Sequence, residues 1–227
     1  LIRGRDIAVF SDEPYDCMVW SGDHNTLLAQ PGMMEQTVAT YTFSKSFSMS
    51  GWRLGFAVSN EDTVQVLGKL TNSTLSCIPP FSQIAGIAAM QLDRKQRDKR
   101  MQTFKRKVEL LTKELNTVEG ISCLMPGGTF YVFPSVAIIC NRFQITSHGL
   151  ALYLLEGADD NQGVACLGGE CFGEVGGGFL RLSCAESDER LTEAVSFIKQ
   201  ALRRESRIKT YLSSHEEYRL NQPYEHG

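Results

Sequence analysis

The sequence predicts an α/β protein in which a partial sheet domain is joined by a long helical region to a smaller α+β domain. Short apolar runs before residue 60 end in polar or charged loops, as buried strands do. After Pro79-Pro80 the apolar residues recur at three- and four-residue steps, which indicates helix. From Gly120 onward, strand-like and helix-like segments are mixed.

Three apolar runs in the first region are predicted strands: Ile7–Phe10, Val38–Ser44 and Leu54–Ser59. The first leads into the polar segment 11–14 and the second ends at Lys45. Three short apolar runs, two of which end in polar or charged loops, predict strands buried on both faces of a sheet. Asn60 is a good helix N-cap, and Glu61 and Asp62 suit the positive end of the helix dipole in its first turn.

The periodicity divides the chain into a partial large domain at 1–80, a connecting helical region at 81–118, a small α+β domain at 119–205 and a polar tail at 206–227. The connecting region reads as one long amphipathic helix or two in succession, with the charged segment 94–100 outward. Ser187 is a predicted helix cap and the glycine-rich segment 173–179 a predicted hairpin. The chain beyond Arg203 is expected to be loosely ordered, apart from an extra helical turn. The candidate strands of the small domain are Ile121–Leu124, Thr129–Phe133, Val164–Leu167 and Phe179–Cys184.

Charge and cysteine usage exclude several classes of protein. The net charge is −3 and the basic residues form no long block, so nucleic acid is not expected as a partner. Since no apolar run is long enough to span a bilayer, we expect no membrane partner. The seven cysteines are scattered and the four histidines do not fall at metal-ligand spacings, which predicts a cytoplasmic protein with reduced thiols, mostly packed in the core, and no metal.

Asp12 and Tyr15 lie in the segment SDEPY, directly after the first predicted strand. An aspartate at the carboxyl end of a buried strand stands where open α/β sheets bind ligands. On its own, Asp12 is as readily a turn or helix-cap residue, and Tyr15 a half-buried aromatic. A ligand role for these two residues therefore depends on the rest of the pattern.

Lys45 follows the second predicted strand in a loop of small residues. A lysine in such a loop is commonly only a solvated charge. The functional alternative is a nucleophilic amine, whose pKa is lowered by partial desolvation and nearby cations so that it can form an imine with a carbonyl. The small neighbours leave room for a ligand to approach.

Two arginines complete the set of candidates. Arg53 lies eight residues after Lys45, where a planar guanidinium could bind a phosphate with hydroxyl donors from Thr42 and Ser44, or form a surface salt bridge. Arg181 lies inside the strand-like FLRLSCA and either binds a ligand carboxylate or faces outward on an antiparallel edge.

The order and spacing of four segments closely resemble the pyridoxal-phosphate-dependent aminotransferases of fold type I, class I/II, the group that includes aspartate aminotransferase. The segments are DEPY, TFSKSFSMSGWRLGF, PGGTFYVFP and FLRLSCAES. The resemblance covers the chain apart from the polar tail. It implies the C-terminal part of that α/β fold and transfer of an amino group between an L-amino acid and a 2-oxo acid.

The resemblance also implies a role for each candidate. Lys45 would form the Schiff base with pyridoxal 5'-phosphate and later move a proton on the substrate. Asp12 would pair with the pyridine nitrogen, Tyr15 would hydrogen-bond the 3-oxygen, and Thr42 and Arg53 would hold the phosphate. The cofactor supplies the electron sink, while the protein supplies orientation and charge.

For the substrate, the resemblance implies that Arg181 binds the α-carboxylate, and it implies a homodimer with active sites at the interface. The matching segments are those of the C-terminal part of the family. We therefore expect this chain to lack the upstream asparagine segment, the ring-stacking aromatic and a glycine-containing phosphate loop. Three strands of a seven-stranded sheet would then have an unpaired edge and exposed apolar faces.

Two alternatives remain open from the sequence. The same lysine, aspartate and arginine also serve other pyridoxal-phosphate reactions, such as β-elimination or the chemistry of aminocyclopropane-carboxylate synthases. The chain could instead be a non-catalytic remnant that acts as an interaction module. Retention of all the candidate site residues argues against the remnant.

Overall fold

The computed structural model describes residues 2, 4–92 and 94–225. Within them the chain folds as two compact units, Leu1–Gln102 and Thr103–Gly227. Each unit combines helices with a three-stranded sheet, so the α/β prediction is confirmed. The limits predicted at residues 80, 118 and 205 stay predictions.

The first unit contains a mixed sheet whose strands are β1 (Val9–Asp12), β2 (Thr37–Thr42) and β3 (Gly55–Val58), in that order. The central strand β2 pairs in parallel with β1 and antiparallel with β3. All three predicted strands are therefore present, with limits shifted by one to a few residues.

The expectation that these strands are buried on both faces is wrong for the described residues. Phe10 on β1 is 70% exposed and Phe56 on β3 is 45% exposed, and β3 has no fully buried residue. Such apolar side chains are typical of a sheet that is covered on both faces. Among the described residues, however, these side chains remain largely exposed. The exposed apolar faces implied by the resemblance are therefore observed.

Two helices follow the sheet, α1 (Glu61–Leu75) and α2 (Pro80–Gln91). Asn60 caps α1 as predicted, because its side-chain oxygen accepts a hydrogen bond of 2.9 Å from the Thr63 N–H. A separate helix α3 (Arg94–Leu115) comes next, so the connecting region is two helices in succession. No residue of α1 is buried, and α2 exposes one apolar row: Phe81, Ile84, Ile87 and Met90.

The second unit has its own antiparallel sheet and four further helices. Its elements in chain order are β4 (Tyr131–Val132), α4 (Ala137–Phe143), α5 (Ser147–Leu152), β5 (Leu167–Gly168), β6 (Leu180–Ser183), α6 (Asp188–Ala201) and α7 (Glu205–Ser214). The strand order is β4-β6-β5, so β6 is central. Ser187 caps α6 as predicted, since its Oγ accepts a 3.3 Å hydrogen bond from the Arg190 N–H.

The core of the second unit lies between its helices and sheet. Val108 and Leu111 of α3, Leu180 of β6 and Ile198 of α6 are almost completely buried in it. Tyr153 is fully buried, and its hydroxyl donates a 3.2 Å hydrogen bond to the Ala201 carbonyl, which satisfies its polar end. This unit is therefore packed like an independent domain.

Two predictions for this unit need correction. The segment Ile121–Leu124 is not a strand, because within it only Ser122 pairs, in an isolated bridge to Ser135. The chain beyond Arg203 is ordered over more than the one extra helical turn expected, since α7 has 10 residues and buries Ile208, Tyr211 and Leu212. These three side chains fall at helical spacing, but the polar residues between them lower the average hydrophobicity of the segment.

The glycine-rich segment 173–179 lies in the connection between β5 and β6, which pair antiparallel as a hairpin. The hairpin prediction is confirmed, although the connection is longer than a tight turn. It consists of two short 3-10 turns, Gly169–Phe172 and Glu174–Gly176.

Candidate active site

Three of the predicted site residues meet at one edge of the first sheet. Asp12 ends β1 and Thr42 ends β2; since these strands are parallel, their carboxyl ends share an edge. The strand β3 runs antiparallel, so its first residue, Gly55, pairs with Thr42, and Arg53 lies two residues earlier in the chain. The topology thus gathers a carboxylate, a hydroxyl and a guanidinium at this carboxyl edge.

Lys45 lies in a short closed loop that follows β2. The loop is fixed at both ends by buried side chains, Phe43 and Met49, and the Met49 N–H donates a 3.1 Å hydrogen bond to the Phe43 carbonyl. The Ser48 N–H donates to the Lys45 carbonyl at 3.0 Å. The half-buried Lys45 extends its Nζ to 5.8 Å from the centre of the Tyr15 ring, within cation–π range. The structure therefore brings Lys45 and Tyr15 together.

The Asp12 side chain is oriented by the neighbouring strand. Its Oδ1 accepts a 3.0 Å hydrogen bond from the Thr40 hydroxyl, and Thr40 is its register partner on β2. Asp12 ends a strand and caps no helix, and the carboxylate is exposed at the carboxyl edge. It can therefore accept a further hydrogen bond from a ligand.

Thr42 and Ser44 form a small hydroxyl pair before Lys45. The Thr42 hydroxyl donates to Ser44 Oγ at 2.9 Å, and the Ser44 N–H donates to Thr42 Oγ1 at 3.1 Å. Arg53 is exposed, and its Nη1 donates to the Ser50 carbonyl at 2.8 Å. No carboxylate of the described residues forms an ion pair with Arg53, so the alternative of a surface salt bridge is not observed there.

Glu13 is a buried residue of this region that the sequence interpretation missed. It is 7% exposed, and its carboxylate joins four side chains. These are Ser11 at 2.9 Å, His24 at 2.7 Å, Thr26 at 2.8 Å and Tyr41 at 2.9 Å. The only signal in the sequence is its place next to Asp12, after a buried strand. Glu13 fixes the segment that carries Asp12 and Tyr15.

Arg181 belongs to the second unit and lies on its central strand, β6. Its neighbours Leu180 and Leu182 are buried, so by strand alternation Arg181 is on the opposite face. Its guanidinium carbon lies 4.5 Å from the centre of the Tyr131 ring and 4.8 Å from that of Phe172. The alternative of an edge-strand arginine is wrong, because β6 pairs on both sides.

The contact of Arg181 with these two rings was not predicted from the sequence. Within residues 2, 4–92 and 94–225, no ion pair of its guanidinium is found. The rings are attracted to the positive charge but leave the N–H edge of the guanidinium available to an anion. This arrangement suits a carboxylate ligand.

Comparison with known proteins decides the family. The sequence model of the family described as "Aminotransferase class I and II" matches residues 1–198. The chain belongs to this family. The resemblance inferred from the four segments is thereby confirmed.

Relatives of this aminotransferase chain include the aspartate aminotransferases of Pyrococcus horikoshii and Thermotoga maritima. The first is 32% identical over 199 residues, which cover 87% of this chain and 49% of the relative. The second is 32% identical over 202 residues, which cover 89% and 49%. The crystal structure of an aromatic aminotransferase from Pyrococcus horikoshii is 30% identical, with a TM-score of 0.80 over 91% of this chain and 54% of that one. The chain spans about half the length of these relatives.

Class I and II aminotransferases are generally dependent on pyridoxal phosphate. The chemistry of the carboxyl edge fits this group: an amine for its aldehyde, a carboxylate for its ring nitrogen, and hydroxyls with a guanidinium for its phosphate. Among the described side chains, no cluster of histidine, cysteine, aspartate or glutamate is able to hold a metal ion. No helix in the described part of the chain has the length and apolar character of a membrane span.

Proposed function

We propose that this aminotransferase chain takes part in moving an amino group between an L-amino acid and a 2-oxo acid, with pyridoxal 5'-phosphate bound at the carboxyl edge. The observation that carries the proposal is the placement of Lys45. Its loop follows β2, its Nζ lies near Tyr15, and Asp12 ends the adjacent parallel strand. Amine, phenol and carboxylate are the groups that this chemistry requires of a protein.

The bound cofactor supplies the electron sink that stabilises negative charge on the substrate Cα. Lys45 is proposed to hold the cofactor covalently through its Nζ and then to carry the substrate α-proton. The Asp12 carboxylate keeps a proton on the pyridine nitrogen, and its hydrogen bond from Thr40 leaves a second oxygen for this contact. The Tyr15 hydroxyl donates to the 3-oxygen.

The phosphate contacts are proposed for Thr42, Ser44 and Arg53. The two hydroxyls already lie within 2.9 Å of each other, and a dianion can accept from both. The exposed Arg53 adds planar N–H donors. Arg181 is proposed to bind the α-carboxylate of the substrate, which is supported by the lack of an ion pair of its guanidinium within the described residues.

The names of the relatives bear on the reaction and the substrate. They are described as aspartate and aromatic aminotransferases, which favours amino transfer over β-elimination or cyclopropane formation. We therefore propose L-aspartate or an aromatic L-amino acid as the amino donor. The catalytic geometry at Lys45 favours an enzyme over a non-catalytic remnant.

A cytoplasmic location and a homodimer complete the proposal. All seven cysteines are free, which agrees with a reducing compartment. The homodimer rests on the resemblance to the family. Sedimentation of the purified protein tests it, and a monomer at micromolar concentration would contradict it.

The experiment that tests the function uses the purified protein with pyridoxal 5'-phosphate, L-aspartate and 2-oxoglutarate. Formation of L-glutamate that requires the 2-oxo acid supports transfer, whereas release of ammonia without it supports a lyase. Borohydride reduction followed by peptide mapping should trap the cofactor on Lys45. The Lys45→Ala variant should lose both signals, while Lys69→Ala, an exposed lysine of α1, should keep them. Absence of trapped cofactor on the unsubstituted protein would overturn the proposal in favour of the remnant.

A further inference from the structure

The C-terminal segment beyond α7 is fixed to the second unit by Tyr224. Its backbone makes two hydrogen bonds with the side chain of Asn141: the Tyr224 N–H donates to Oδ1 at 2.9 Å, and Nδ2 donates to the Tyr224 carbonyl at 3.0 Å. The Ser147 N–H donates to the Tyr224 hydroxyl oxygen at 3.1 Å. Tyr224 lies outside residues 1–198, so the match to the family assigns it no role.

The Tyr224 hydroxyl donates a 2.6 Å hydrogen bond to Glu170 Oε1. Burial raises the pKa of Tyr224 to about 12 and the bond to Glu170 adds to this, so the phenol remains a donor. Burial alone would raise the pKa of Glu170. The hydrogen bond from Tyr224, together with the favourable influence of the nearby Ser147 side chain and backbone N–H groups, outweighs burial and keeps that pKa below its usual value. The bond therefore joins a neutral phenol to a carboxylate at neutral pH, which makes it a strong one.

The Tyr224 ring also lies against the glycine-rich connection. A Cβ added to Gly177 would come within 2.7 Å of Tyr224 Cε1, and one added to Gly178 within 3.1 Å of Cγ. The Gly178 N–H donates to Ser147 Oγ at 2.9 Å, beside the ring. The two glycines thus allow the ring to cover the backbone of this connection.

Glu170 belongs to the turn Gly169–Phe172, whose last residue covers Arg181. The turn is bonded to the residue that precedes β6, because the Gly169 N–H donates to the Phe179 carbonyl at 2.8 Å. Phe172 packs edge-on against Phe133 at 5.9 Å between ring centres. Glu170 therefore lies in the same short turn as Phe172, two residues before the ring that contacts the Arg181 guanidinium.

We propose that Tyr224 and Glu170 are positioning residues for Arg181, which hold the turn Gly169–Phe172 so that Phe172 covers the guanidinium and orients it toward a carboxylate. The proposal rests on the proposed function, because Arg181 is assigned there to the substrate α-carboxylate. Tyr224 and Glu170 touch neither substrate nor cofactor in this account. Their effect reaches the substrate through Phe172 and Arg181.

The test compares Tyr224→Phe, which keeps the ring and removes the donor, with Tyr224→Ala, which removes both. Tyr218→Phe is the matched control, because it removes a phenol hydroxyl from the same C-terminal segment. Amide hydrogen exchange of a peptide covering 168–179 reports on the turn. Calorimetric titration with 2-oxoglutarate reports on the carboxylate site, and titration with pyridoxal 5'-phosphate reports on the cofactor residues.

We expect exchange in 168–179 to be about tenfold faster in Tyr224→Phe, as loss of one hydrogen bond to a charged group allows, and faster still in Tyr224→Ala. The Kd for 2-oxoglutarate should rise about three- to tenfold while the Kd for the cofactor stays the same. Tyr218→Phe should change none of these quantities.

Unchanged exchange in both Tyr224 variants would overturn the proposal, and so would faster exchange with an unchanged Kd for 2-oxoglutarate. Arg181→Leu separates this failure from that of the proposed function. If Arg181→Leu binds 2-oxoglutarate as the unsubstituted protein does, the carboxylate role of Arg181 is wrong, and the exchange data alone then show whether Tyr224 holds the turn.

Discussion

The Tyr41 hydroxyl donates a 2.9 Å hydrogen bond to the Glu13 carboxylate and so joins the two strand ends that carry the cofactor candidates. Glu13 follows Asp12, and Tyr41 precedes Thr42. The Tyr41 ring also stacks on Phe56 of β3, with ring centres 5.1 Å apart. One buried carboxylate is thus coupled to all three strands of the first sheet, and the arrangement of the carboxyl edge depends on it.

The substitution Glu13→Ala should destabilise the first unit by about 3 kcal/mol, since it removes several hydrogen bonds to a charged group and takes their acceptor away from three part-buried hydroxyls. Urea unfolding measures this, and the fluorescence of Trp20 and Trp52 reports on the first unit because the chain has only these two tryptophans. Glu35→Ala is the control, because Glu35 is exposed and should cost less than about 0.5 kcal/mol. Equal midpoints for the two variants would refute the structural role of Glu13.

Glu13 should also make the first unit sensitive to acid. Burial alone would raise its pKa, but hydrogen bonds from His24, Thr26, Tyr41 and Ser11 outweigh burial and hold the pKa below the ordinary 4.5. Because the folded-state pKa is the lower one, the charged carboxylate stabilises the fold above the unfolded-state pKa. This stabilisation is lost as the pH falls through the folded-state value.

We therefore expect the urea midpoint of the unsubstituted protein to fall steeply below about pH 4.5. Glu13→Gln cannot titrate, so its midpoint should start lower at neutral pH and change less between neutral and acid pH. Parallel curves for the two proteins would mean that other groups cause the acid sensitivity.

The cysteines should divide into two classes of reactivity. Cys140 and Cys184 are buried and Cys166 is half-buried. Burial raises the pKa of Cys166 and of Cys184 to about 12, and that of Cys140 beyond its usual range, so these three thiols are not ionised near pH 8. Cys77 and Cys171 are exposed. Alkylation at pH 8 followed by mass spectrometry should label these two first, and the other three only after unfolding. Labelling of Cys140 at the rate of Cys77 would contradict the packing of the second unit.

Strands and helix caps that are determined by neighbouring residues could be predicted from the sequence. The strands β1, β2 and β3 follow from short apolar runs, and the caps at Asn60 and Ser187 from a polar side chain before a helical pattern. The site candidates of the first unit could be listed for the same reason, because Asp12, Thr42 and Lys45 each stand at a strand end. Their spatial arrangement then follows from the parallel pairing of β1 with β2.

The remaining features depend on contacts between residues distant in the chain. Glu13 and Tyr41 are 28 residues apart in the sequence, and Glu170 and Tyr224 are 54 residues apart. No local sequence pattern therefore predicts either hydrogen bond. The rings of Tyr131 and Phe172 contact Arg181 through the tertiary structure of the second unit, in which β4 pairs with β6. The two-residue strands β4 and β5 are too short for alternation to define their limits.

Arg53→Lys tests the phosphate role, because the substitution keeps the charge and removes the planar fork of donors. Arg53 has a φ of 51°, and lysine meets the same backbone strain there as arginine, so the comparison isolates the guanidinium. We expect the Kd for pyridoxal 5'-phosphate to rise about tenfold, as measured by absorbance titration. The Kd for pyridoxal, which lacks the phosphate, should not change, and Arg142→Lys on the second unit should affect neither ligand. If Arg53→Lys weakened the binding of pyridoxal as much as that of pyridoxal 5'-phosphate, the phosphate role of Arg53 would be wrong. The substitution would then act through the conformation of the loop.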